Sequence, residues 1–120
     1  MTVKECYERM GANYDEALSR LLDDARIKKY LLKYAENSEL GELTRALSNK
    51  NYQDAFLHAH NIKGFGLNLS LVKLFVTSDR LCEALRNGVP KEDPEPLFQA
   101  VKEAHEDLFA AVNELEKNSE

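Results

Sequence analysis

The chain has no tryptophan, few residues that break helices and few that favour strands. Its 5 Gly and 3 Pro make up roughly 7% of 120 residues, where about 12% is usual. Val, Ile and Thr together number 11, against 18 Leu, 12 Ala and 14 Glu. That balance argues against a sheet and for an all-α domain. No apolar run approaches the roughly 18 residues a membrane span requires, and no signal-peptide pattern opens the chain. Cysteine is scarce too. Cys6 and Cys82 fit no metal spacing and make no disulfide framework, so a reducing cytoplasm is the expected location. Cationic charge is also short: 16 Lys plus Arg against 21 Asp plus Glu leave a net charge of −5. Phosphate-backbone binding wants a cationic surface, which excludes nucleic acid as a bulk partner. The length predicts a single domain with a real core.

What is present reads as helices joined by short turns. Thr2 with Glu5 forms a capping-box pattern for a first short helix that Gly11 ends. A second, about Asn13 to Leu22, carries Tyr14, Ala17, Leu18, Leu21 and Leu22 at helical spacing. Asp24 is the expected cap of the next stretch, whose face holds Ile27, Tyr30, Leu31 and Tyr34. Asn37 and Ser38 interrupt it, with Ser38 as cap of a continuation bearing Leu40, Leu43, Ala46 and Leu47. Residues 24 to 49 therefore form one bent helix or two consecutive ones. After a turn at 48 to 51, Tyr52, Ala55, Phe56, Ala59, Ile62, Gly66 and Leu69 continue an i, i+3/i+4 stripe. Asn68 breaks it, and Ser70 is the expected cap of a helix with Leu71, Leu74, Phe75, Ser78, Leu81, Cys82 and Leu85. Asn87-Gly88 is its stop. Asp93-Pro94 then opens a last helix whose Leu97, Val101, Ala104, Leu108, Ala111 and Leu115 form the cleanest seam. Short turns between amphipathic helices imply an antiparallel up-down four-helix bundle with additional short N-terminal helices. Residues 1–23 would be an N-terminal extension, 24–117 the bundle and 118–120 a frayed tail.

Packing explains most positions, but not the segment from Leu57 to Leu69. Two glycines stand in a strongly helical stretch, each costing about 1 kcal/mol relative to Ala. With Ala59 as the centre of the buried face, Gly66 falls inside the stripe and has a packing reason, the close approach of another helix. Gly64 lies about 140° away and has none. His60 lies about 100° away, at the edge of the stripe and one turn before Gly64. Gln53, Leu57 and Leu67 share the outward side, with Lys63 one position round. The result is an imidazole at a helix surface beside a bare turn, with an ammonium at i+3 and exposed leucines as an apolar docking patch.

The string His60-x-x-Lys63-Gly64, preceded by Ala59 and followed by Asn68-Leu69, resembles the signature of histidine-containing phosphotransfer (HPt) domains. The likeness covers about residues 25 to 117, taking in the Leu43/Leu47 helix before the motif, and the Leu74 to Leu85 helix and Gly88 after it. It implies a four-helix bundle whose exposed histidine relays a phosphoryl group between receiver-domain aspartates in a two-component phosphorelay. By position, His60 would be phosphorylated, Lys63 would support the phosphoryl oxygens and Gly64 would keep access open. Gln53, Leu57 and Leu67 would meet the partner. The partners implied are the receiver domains of a hybrid sensor kinase and of a response regulator. Ser70 stands where the family often has Gly, and Gly66 where it often has Ala. One falls at a turn and the other in the core, so the chemistry is untouched by either.

That chemistry suits the residues. Neutral imidazole is a competent nucleophile near neutral pH, and phosphoryl transfer otherwise needs positioning and charge neutralisation. The chain offers no phosphate-cradling loop, nucleotide fingerprint or acidic metal cluster near His60. The expectation is a phosphocarrier rather than an enzyme, with no cofactor of its own, whose partner brings the aspartate and Mg²⁺. The initial Met and N-terminal helices favour a free-standing protein over a domain of a larger kinase, and seams that close on one another favour a monomer over a dimer. His58 is expected to be structural, near Phe65, and His105 to lie at the boundary of the last seam. A metal site from His58, His60 and His105 is disfavoured, because side chains at i and i+2 diverge on a helix. The rival is an adaptor bundle that uses exposed Leu57 and Leu67 without phosphorylation.

Overall fold

A computed structural model describes residues 1–117, and the expected frayed tail at 118–120 lies outside them. The elements are α1 (Val3–Met10), α2 (Tyr14–Leu21), α3 (Asp24–Ala35), α4 (Glu39–Ser48), α5 (Tyr52–Asn68), α6 (Val72–Ala84) and α7 (Pro94–Lys117). Among the described residues the chain is all-helical, with no strand. No described helix is long and apolar enough to cross a membrane.

Local chemistry sets most helix ends. Thr2 and Glu5 form the reciprocal capping box, each backbone N–H donating 3.1 Å to the other's side chain, and Gly11 at φ 66° closes α1. Asn13 caps α2 and Asn51 caps α5 through their side-chain oxygens. Asp93 Oδ1 accepts the Glu95 N–H at 3.0 Å, with Pro94 as the first helical residue of α7. The stretch from 24 to 49 is two consecutive helices.

Three expected caps are different. Asp23, not Asp24, caps α3, taking the Arg26 N–H at 2.8 Å, because the extended backbone a cap needs falls at Asp23. Ser38 makes no capping bond, since Asn37 Oδ1 already accepts the Glu39 N–H at 2.8 Å. Ser70 does not cap α6 either. It sits in the left-handed region at φ 55°, and its hydroxyl donates to Glu16 at 2.9 Å and accepts from Arg20 at 3.1 Å. Arg20 also donates to the carbonyls of Leu67 and Asn68, and the Asn13 N–H donates to the Ser70 carbonyl. The turn after α5 is thereby tied to α2.

α5 packs between α4 and α6, α6 packs on α7, and α7 also receives α1 and α3. At about 1.5 Å per residue the 24-residue α7 spans roughly 36 Å, most of the 44 Å long axis. Its seam is buried from Val101 to Leu115, with Phe98 joining and Leu97 half-buried. Ile27, Leu31 and Tyr34 of α3, Leu43 and Ala46 of α4, and Leu74, Ser78, Leu81 and Cys82 of α6 complete the core. Val3, Cys6 and Tyr7 of α1 enter it too, and the Tyr7 hydroxyl donates to the Leu69 carbonyl at 2.8 Å. Tyr30 and Leu22, read as core-facing, are exposed. Tyr30 follows Ile27 by three residues but turns past the edge of the buried face, and Leu22 caps α2 at φ 81° with its side chain outside.

His105 is buried, not at the boundary, at 5% exposure between Tyr34 (5.4 Å between ring centroids) and Phe109 (4.6 Å). Burial holds its imidazole below the ordinary value of 6.5. The unfolded chain therefore takes up this proton first, and stability, full above pH 6.5, declines as pH falls below it. The slope from one such group is at most about 1.4 kcal/mol per pH unit. Thermal melts should show a falling Tm between pH 6.5 and 5, a dependence that His105→Gln flattens whatever its effect on absolute stability. Glu5, Glu16 and Glu83 are held below the ordinary carboxylate value of 4.5 by hydrogen bonds, so they titrate below this window.

Candidate functional site on α5

Two faces of α5 are committed to neighbours. Toward α6, the helix comes so close that a Cβ on Gly66 would lie 2.8 Å from the Phe75 backbone nitrogen and 3.0 Å from its Cα. Gly66 is therefore a packing glycine, as its place in the stripe predicts. Toward α4, His58 Nδ1 lies 2.7 Å from Glu39 Oε2, and Asn61 donates to Glu39 Oε1 at 3.2 Å. An Nδ1 facing a carboxylate carries the proton, so His58 is a structural donor that ties α5 to α4. Glu39, rather than Phe65, is its partner.

The third face is open, and His60 stands on it. Its ring is exposed, stacked on Phe56 at 6.1 Å and 24° between planes. Neither ring nitrogen has a hydrogen-bond partner among the described residues. One turn on, a Cβ added to Gly64 would meet nothing within 4 Å, so the turn beside His60 is bare to solvent. Leu57 and Leu67 flank the site at 53% and 50% exposure. Gln53, also exposed, lies beside Gly88, whose added Cβ would come 3.4 Å from the Gln53 Cβ. With Asp54, Phe56, Leu57 and Arg86, Gln53 borders an open groove between α5 and the segment after α6.

Lys63 is placed differently from the free ammonium that its spacing suggests. It leans toward α6, where Nζ meets Asp79 Oδ1 at 2.9 Å. The Asp79 carboxylate holds the lysine above its ordinary value. A turn further along α6, Glu83 pairs with Arg86, and the Arg86 guanidinium sits 5.6 Å from the centroid of the Phe56 ring. Both cations near His60 are thus held by carboxylates of α6. Asp79 and Arg86 were not singled out from the sequence, and Phe56 was counted as core although it is half-buried and carries the His60 ring. A signal exists in the i, i+4 spacing of Phe75, Asp79 and Glu83 along α6, with Arg86 three residues on, just past its end. Which neighbour that line faces is a tertiary fact.

No three His, Cys, Asp or Glu side chains among the described residues are grouped to hold a metal. His58 and His60 diverge, one to Glu39 and one to solvent, while His105 lies in the core. The two thiols are buried, and burial raises both, Cys6 to about 11. What remains chemically is an imidazole with no hydrogen-bond partner among the described residues, on α5 and open on the Gly64 side. Comparison with protein-family models, curated proteins and solved structures finds no match in any of the three.

Proposed function

We propose that the chain is a histidine phosphotransfer protein in which His60 accepts a phosphoryl group from the aspartate of one receiver domain and passes it to that of another. The observation that carries the proposal is the exposed His60 imidazole, without a hydrogen-bond partner among the described residues, beside a glycine turn with nothing within 4 Å of its Cβ position. An aspartyl phosphate must approach the ring directly, and the exposure of His60 and the bare Gly64 turn leave that side open. In the forward step the lone pair of an unprotonated ring nitrogen attacks phosphorus, an N–P bond forms and the aspartyl oxygen leaves as carboxylate. The return step reverses this on the second receiver. Mg²⁺ comes with the receiver, and the chain contributes position, access and one adjacent ammonium.

In this proposal α3 and α4 in succession form the first of four antiparallel helices, and α5, α6 and α7 the others, with α1 and α2 added at one end. The three-residue connections at 49–51 and 69–71, and the place of α5 between α4 and α6, support that arrangement. The site also suits an acidic partner. Gln53, Leu57 and Leu67 are uncharged and so present no like charge to such a partner. The proposed setting is a cytoplasmic, monomeric protein.

Incubation with phosphorylated receiver domains of hybrid kinases tests the proposal. Acid-labile, alkali-stable phosphate should appear on the chain. Failure of transfer from several cognate receivers, with the receivers still binding the Leu57/Leu67 surface, would favour an adaptor. Gly64→Gln places a long side chain one turn from His60, and is expected to slow transfer about tenfold or more while Tm holds or rises, because Gln is the better helix former. An unchanged rate would remove the role assigned to the bare turn.

A further inference from the structure

Resting on the phosphotransfer reading of His60, we propose that Asp79 is a positioning residue for the relay: it holds Lys63 against α6 while His60 is unmodified and releases it when His60 carries a phosphoryl group. Lys63 follows His60 by three residues, on the neighbouring turn where side chains meet. Its ammonium is turned away, onto Asp79 Oδ1 at 2.9 Å, in a pair that is only part-buried, with side-chain exposures of 25% and 39%. Pairs this accessible are weak and exchange readily. A phosphoryl group on His60 brings a charge of about −1.5 to −2 and three strong acceptor oxygens, a better partner than one carboxylate. Glu83, the next carboxylate along α6, is paired with Arg86 and acts on Lys63 only through longer-range attraction, so Asp79 is the direct partner that Lys63 must leave.

The exchange has a consequence for the energetics of the relay. When Lys63 turns to the phosphoryl oxygens, Asp79 loses its ion-pair partner. Breaking the resting pair therefore opposes formation of the N–P bond and favours passing the group on. Asp79 keeps the phosphorylated state from becoming too stable to donate.

The test is the exchange equilibrium between the full chain and one phosphorylated receiver, measured for the native protein, Asp79→Asn, Lys63→Gln and the double variant. Asp79→Asn is expected to raise the equilibrium share of phosphorylated His60 about three- to tenfold, and this rise should largely vanish in the Lys63→Gln background. Asp79→Glu should restore most of the native value. In parallel, the ¹⁵N resonance of the Lys63 ammonium should move on phosphorylation in the native chain. An unchanged equilibrium in Asp79→Asn, or an equal rise without Lys63, overturns the role of Asp79 while leaving phosphotransfer standing. If the native chain takes up no phosphoryl group at all, the phosphotransfer reading fails, and the proposal for Asp79 fails with it.

Discussion

His60→Gln is expected to reduce phosphoryl acceptance to background while leaving the fold in place. The imidazole is exposed and makes no hydrogen bond among the described residues, and its ring stacks on Phe56. Surface replacements of this kind change stability by about 0.5 kcal/mol or less, here a Tm shift of roughly 2 °C. Glutamine keeps polarity and helix propensity but has no nucleophilic nitrogen, so only the chemistry is removed. His58→Gln is the control. It breaks the bond to Glu39 and should lower stability by about 1 kcal/mol, with transfer retained. Loss of transfer in His58→Gln but not in His60→Gln would place the acceptor on the wrong face of α5.

The second large effect concerns the two glycines, which should respond to alanine with opposite signs. At Gly64 the new methyl meets open space, so Gly64→Ala is expected to stabilise by up to about 1 kcal/mol through helix propensity alone. At Gly66 it would press on the backbone of Phe75 at 2.8 to 3.2 Å, where no side-chain rotation can relieve it. The helices must separate, and overpacking of this sort costs typically 1–3 kcal/mol. Gly66→Ala should therefore lose about 1 kcal/mol or more net, and Gly66→Val, with two further methyls, about 3 kcal/mol. For a chain of this length that is a Tm drop of more than about 10 °C. Denaturation curves settle the contrast. Equal responses at the two positions would mean that α5 does not approach α6 as described.

Gly66 also marks how far sequence reasoning reaches. Its place in the stripe with Ala59 and Ile62 is a one-dimensional fact, and a close helix approach follows from it. The Thr2/Glu5 box, the α7 seam and the outward position of His60, Leu57 and Gly64 are legible for the same reason, being local in the chain. Ser70 was misread because a serine after Asn-Leu resembles a cap, whereas the backbone turns left-handed there and the hydroxyl is bound by Glu16 and Arg20, some fifty residues away. His105 was placed at the boundary because the flank of the α7 seam gives no hint that Tyr34 covers it. The pairing of Lys63 is not legible, because its partner Asp79 belongs to another helix and only packing brings the two together. The candidate nucleophile was therefore visible in the sequence, while the groups that hold its neighbours were not.

The most direct measurement is to locate the phosphate. After exchange with a phosphorylated receiver, the chain is separated at alkaline pH, digested, and its phosphopeptides mapped, with the bond type read by ³¹P NMR. The expected result is one phosphoramidate, on His60, that is lost in acid and returned to a receiver on mixing. Phosphate on His58, on a hydroxyl or carboxylate side chain, or nowhere on the chain would contradict it.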